Sequence, residues 1–148
     1  MVYVVCGMPA SGKSTYIKNH LRNKDIKIID VFVLQKEYSV YAAHYMVLKL
    51  LEKELKEDPH RDIVIENTLL KKKRRKEILD ITEKYDCETT LIFCDASDST
   101  IIERYGQRYS DASRDIDVIR KHISDYRDIQ EKPIDNEGFD NIIFNKEH

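Results

Sequence analysis

One stretch near the start of the chain, Gly7-Met8-Pro9-Ala10-Ser11-Gly12-Lys13-Ser14, fills the pattern G-x-x-x-x-G-K-[ST] completely. Each fixed residue type answers a separate chemical need. Gly7 and Gly12 let the backbone curl so that its N–H groups face inward, at a helix N-terminus whose dipole also favours an anion. Lys13 supplies a mobile cation for the β and γ phosphates of a nucleoside triphosphate, and the Ser14 hydroxyl is a ligand for Mg²⁺. Ala10, Ser11 and Thr15 complete the stretch expected to contact ATP. The chain has only four glycines, and two of them stand where the pattern requires glycine.

Such a loop must join a strand to a helix. The apolar run Val2 to Cys6 precedes it and a helical pattern follows from Lys13. Farther along, short apolar runs alternate with longer segments of helical period, which predicts strands at about 2 to 6, 26 to 30, 61 to 66, 88 to 95 and 139 to 144. The expected fold is therefore α/β, a three-layer P-loop NTPase architecture with a five-stranded, mainly parallel sheet flanked by helices. Three apolar stripes mark the main helices: Val40, Ala43, Val47, Leu51 and Leu55; Ile78, Ile81 and Tyr85; Ile116, Ile119, Ile123 and Tyr126. Asp58-Pro59 ends the first of these, because the residue before proline is driven out of the α region.

Length and composition narrow the class. At 148 residues, 41 % of them apolar, the chain has the size of one domain, and no composition break or repeat divides residues 1–148. The 25 Lys and Arg nearly cancel the 27 Asp and Glu, for a net charge of -2, which argues against a broadly cationic nucleic-acid binder. No apolar run approaches the roughly 20 residues of a membrane span, and with Met1 running straight into the first strand no secretory signal is expected. Cys6, Cys87 and Cys94 are odd in number and lack metal-ligand spacing, so buried thiols in a reducing cytoplasm are expected.

Other P-loop classes need signals that are absent. A GTPase requires a D-x-x-G switch and an N-K-x-D guanine reader, and a motor ATPase a strand ending in paired acidic residues. Small size and a late arginine-bearing helix favour a phosphotransferase instead. Glu66, after Ile63-Val64-Ile65, can hold the Mg²⁺ shell or an acceptor hydroxyl, and Thr68 can bond a phosphate oxygen; the same residues could also form a capped turn. Arg104 and Arg108 stand four apart and project from one helix face, where planar guanidinium forks suit the charge spread of a migrating phosphoryl group. The run Lys71-Lys72-Lys73-Arg74-Arg75-Lys76 opposes the dipole of the helix it begins, so a phosphate backbone is one natural counterpart and a solvated face the other. Tyr38, Tyr41 and Tyr45 read as a core-edge stripe, with base stacking the alternative.

The ordered set Glu66-Asn67-Thr68-Leu69-Leu70, Arg74-Arg75, Asp95, Arg104, Arg108 and Ile116-Asp117-Val118-Ile119-Arg120 resembles the 5′-kinase domain of bacteriophage polynucleotide kinase. It is similar also to the wider group of P-loop kinases that includes zeta toxins. The resemblance implies an aspartate base at the carboxyl end of the second strand, which points to Asp30. It implies a lid over about 104–120, whose closing segment Ser110 to Arg114 carries Arg104 and Arg108 to the phosphates, with Arg114 a weaker third. The position of Glu66-Asn67-Thr68 at a strand's carboxyl end sets the basic run, with Lys72 and Arg75, beside the expected acceptor. One departure stands out: the family pattern has an arginine three residues after the aspartate, and this chain has Val33, with Gln35 and Lys36 the nearest polar residues. No D-x-D-G-T motif is present, so the phosphatase activity of the bacteriophage enzyme is not implied. The expected reaction is ATP- and Mg²⁺-dependent transfer to the 5′-hydroxyl of a polynucleotide or nucleotide-like acceptor. A small-molecule or sugar-nucleotide kinase and a weakly hydrolysing ATP-binding accessory protein are the alternatives.

Overall fold

A run such as Val2 to Cys6 loses its apolar surface and satisfies its backbone groups together at the centre of a sheet covered on both faces. The computed structural model describes residues 1–23, 25–108 and 115–147, without the side chains of Arg108 and Glu147. In it, β1 (Val2–Cys6) lies between β3 (Ile63–Glu66) and β4 (Thr89–Ala96), while β2 (Lys27–Asp30) and β5 (Asn141–Glu147) form the edges. The order is β2-β3-β1-β4-β5, and every pairing is parallel. All five expected strands are present.

The helices are α1 (Lys13–Tyr16), continued by a π-helical stretch Ile17–Leu21, then α2 (Val31–Leu34), α3 (Val40–Glu57), α4 (Lys72–Lys84), α5 (Asp98–Arg108) and α6 (Ile116–Ile129). Strand alternation divides the core. Val2, Val4 and Cys6 pack with Ala43, Val47 and Leu51 of α3 and Ile78 of α4, while Val5 faces Ile17 with Val64 and Ile92. A third cluster of Met8, Ala10, Ile101, Tyr105, Ile119 and Ile123 seats α5 and α6 against the loop after β1. The two faces and the end of the sheet are thus each tied to the segment that carries the glycine-rich motif.

Three details depart from the sequence pattern. The single turn α2 has no periodic signal because it is too short; it forms because Asp30 Oδ1 accepts a hydrogen bond from Phe32 N at 2.8 Å. Val40 and Ile116, expected in buried stripes, are 71 % and 47 % exposed, each being the first residue of its helix and one turn short of the packed face. Cys87 is only partly buried, whereas Cys6 and Cys94 are buried as expected. Burial pushes the Cys6 thiol up to about 12, far from any nucleophilic range. Among the described residues, no helix is long and apolar enough to cross a membrane.

Candidate functional site

Parallel strands deliver their carboxyl ends to one edge of the sheet, where open α/β sheets form their crevices. Register places Glu66 beside both Val5 and Asp30, so the ends of β1, β2 and β3 meet. The chain then leaves β1 through a tight loop with positive φ at Gly7 (144°), Ala10 (63°) and Gly12 (104°). Gly7 N donates to Thr68 O at 3.0 Å, and a Cβ on Gly7 would stand 2.3 Å from Cys94 O. Only glycine fits there.

Lys13 is buried and folds back on the loop, its Nζ donating to Gly7 O at 2.7 Å and Met8 O at 2.9 Å, with the Phe32 ring centroid 5.4 Å away. Ser14 Oγ donates to Glu66 Oε1 at 2.6 Å. Around this pair opens a cleft of about 440 Å³, bounded by the loop, Asp30, Phe32, Gln35 and Glu66, with Tyr105 of α5 and Tyr126 of α6 on the far side. Ser11 Oγ inside the loop is fully buried and makes no hydrogen bond among the described residues. An orphaned donor inside an anion-shaped loop fits a phosphate, and an alcohol beside a carboxylate is an all-oxygen pair suited to a hard cation.

The expected site residues separate into groups. Gly7, Ala10, Ser11, Gly12, Lys13, Ser14 and Thr15 form the loop and the start of α1, and Asp30 and Glu66 line its cleft. Arg104 reaches the loop, its Nη1 donating to Ala10 O at 2.9 Å. Arg108 ends α5, but its side chain lies outside the described residues, as do Arg114 and the rest of the expected closing segment 110–114. Thr68 instead lines a neighbouring hollow, and its carbonyl anchors Gly7. Lys72 is exposed on the first turn of α4 and lines neither space.

Arg75 is a correction. Its side chain is fully buried, forms an ion pair with Glu137, and donates from Nη1 to Leu69 O at 2.8 Å. Arg75 stands in line with Ile78, Leu79 and Thr82, three, four and seven residues on, the face of α4 that packs inward, while Lys72, Lys73 and Lys76 turn outward. It cannot touch an acceptor. The stripe of Tyr38, Tyr41 and Tyr45 is corrected too, because all three are exposed rather than packed at the core edge.

Sequence reasoning missed Phe32, Tyr105 and Tyr126 as cleft residues, since an aromatic on an amphipathic helix reads as core. It also missed Arg127. That residue joins α6 to the end of β4 through Asp95 Oδ1, Ala96 O and Asp98 Oδ1, each at 2.9 Å. No local pattern links positions so far apart.

Loop, sheet order and cleft together define a P-loop NTPase fold. A model of the AAA domain family matches residues 2–133, and the chain belongs to that family. Among curated proteins no sequence match is found. Several solved structures share the fold. A protein of Chloroflexus aurantiacus described as a candidate kinase is 16 % identical at a TM-score of 0.66, over 98 % of this chain and 86 % of that one. Chaetomium thermophilum Kti12, solved in complex with ADP-AlF3, is 17 % identical at 0.64, over 97 % and 88 %. The tunicamycin resistance protein of Deinococcus radiodurans is 11 % identical at 0.54, over 96 % and 84 %.

Proposed function

We propose that the chain is an ATP-dependent phosphotransferase that moves the γ-phosphoryl group to a hydroxyl, the 5′-hydroxyl of a nucleic-acid end or nucleotide-like acceptor. One observation carries the reading: Asp30 and Glu66 hold paired positions on neighbouring strands and share one cleft with Lys13 and Ser14. Asp30 takes the acceptor proton as the acceptor oxygen bonds to phosphorus and the bond from phosphorus to the ADP oxygen breaks. Lys13 leaves the loop carbonyls for the phosphates. Ser14 and Glu66 are the residues that would hold Mg²⁺, which when bound neutralises phosphate charge. Arg104 stands beside the loop to meet charge on the migrating group, with Arg108 and the rest of a lid over about 104–120 completing the closure. Kti12, which has the same fold, holds ADP-AlF3 in its complex, and this supports the nucleotide half of the reading.

A small-molecule or sugar-nucleotide acceptor is the second reading. It is favoured by Val33, which is 56 % exposed and lies outside the cleft lining where a cation was expected. Transfer from γ-labelled ATP decides: label appears on a 5′-hydroxyl oligonucleotide in the first case and on a metabolite in the second. Label on neither, with ATP bound, marks an accessory protein.

Nucleotide binding has its own expected result. Millimolar ATP with Mg²⁺ raises the melting temperature of the wild type, because a ligand that binds only the formed loop shifts folding by mass action. Lys13→Ala loses most of that rise in a thermal-shift titration. A wild-type melting curve indifferent to nucleotide would overturn the reading.

A further inference from the structure

A second hollow, of about 400 Å³, adjoins the cleft and shares Gln35 and Tyr126 with it. Val31, Val40, Leu69, Leu70 and Ile129 make it mostly apolar, and Tyr41 lies at its side. Its polar lining is Gln35, His44, Asn67 and Thr68, with Lys71 and Arg74 at the start of α4. His44 is buried, with its Nε2 3.4 Å from Glu77 Oε2. The size and mixed lining suit a planar heteroaromatic group.

What surrounds the hollow says what that group is attached to. The Tyr41 ring is 62 % exposed, with the Arg74 guanidinium 5.7 Å from its centroid and the Tyr45 ring edge-on at 5.1 Å. Beside it begins α4, and Lys71, Lys72 and Lys73 at its start are exposed and make no ion pair among the described residues. Exposed aromatic rings and unneutralised cations at a helix N-terminus are two separate costs. A single-stranded nucleic acid relieves both, its base on the ring and its phosphodiesters on the lysines. A free nucleoside would leave the lysines unanswered, and a duplex would keep its base stacked.

We propose that this hollow seats the terminal base of a single-stranded nucleic-acid acceptor, with Tyr41 as stacking platform and Lys71, Lys72 and Lys73 as backbone contacts. The assignment rests on the reading of the adjoining cleft as the site of phosphoryl transfer. It places the terminal hydroxyl at the shared wall of Gln35 and Tyr126, on the side of Asp30.

Fluorescence anisotropy with a short 5′-hydroxyl single strand, labelled at its 3′ end and without ATP, tests the hollow apart from catalysis. Tyr41→Ala weakens binding by about 5- to 150-fold, the usual range for one stacked base, whereas Tyr41→Phe keeps the ring and binds near wild type. Replacing Lys71, Lys72 and Lys73 by Gln flattens the logarithmic salt slope by roughly 0.7 for each phosphate no longer neutralised. Wild-type affinity in Tyr41→Ala, an unchanged slope in the lysine variant, or equal affinity for a free nucleoside or a duplex would each overturn the proposal. A parallel ATP titration of the wild type separates the two readings. ATP bound without the oligonucleotide removes only the hollow assignment, and no ATP bound removes the cleft reading beneath it.

Discussion

Asp30→Asn lowers phosphoryl transfer by about 10²- to 10⁴-fold, the usual contribution of a general base, with ATP binding close to wild type. The substitution is unusually clean. Asp30 Oδ1 caps α2 through Phe32 N, and asparagine is as good a cap as aspartate, so the turn that shapes the cleft survives. What disappears is an oxygen able to take a proton. Single-turnover transfer from γ-labelled ATP gives the rate, and a nucleotide thermal shift shows that the loop still works. Transfer at the wild-type rate would hand the proton to Glu66, the carboxylate paired with Asp30 across β2 and β3.

Arg75→Met lowers stability by about 3 to 5 kcal/mol, the range seen when one partner of a buried ion pair is removed. Both side chains of the Arg75–Glu137 pair are 1 % exposed. Methionine fills much of the space but leaves the Glu137 carboxylate without its cation, and takes the Arg75 donor from the carbonyls of Leu69 and Leu70, the second of which keeps Glu131 N. Leu69 is itself held at a φ of 44°, so the segment between β3 and α4 is deprived of the hydrogen bonds that fix its unusual backbone. Urea denaturation reads the loss as a lower midpoint at unchanged slope. Adding Glu137→Gln recovers part of it by removing the stranded charge. A single variant as stable as the wild type would mean that water reaches the pair.

Local information carried the parts that were legible in the sequence. The glycine-rich loop is a run of adjacent residues whose backbone conformation depends on its own glycines, and apolar period alone located β1 through β5. Lys71 to Lys76 show where that reasoning ends. Composition makes them one basic run, yet a helix distributes its side chains around an axis, and only tertiary packing sends Arg75 inward to Glu137 while Lys71 to Lys73 stay in water. Tyr41 failed for a related reason. Its spacing with Tyr38 and Tyr45 looked like a packed stripe, but the first turns of α3 border the second hollow, and the three rings meet solvent. Arg127 and Asp95 meet through the approach of α6 to the end of β4, a contact that no short window contains.

The central place of β1 has a consequence for how the chain is made. Translation produces this strand first, yet its neighbours are β3 and β4, and Val2 pairs with Ile63 on one side and Thr89 on the other. At about 5–20 residues per second, a ribosome takes roughly 5 to 20 s to pass from Cys6 to Ala96. For that interval an apolar segment waits with both edges unpaired, and such segments are what chaperones bind. The nucleotide loop inherits the delay, because Gly7 closes against the carbonyl of Cys94 and the main chain of Thr68. Binding competence therefore follows the docking of the fourth strand, although the residues that confer it are made before that strand.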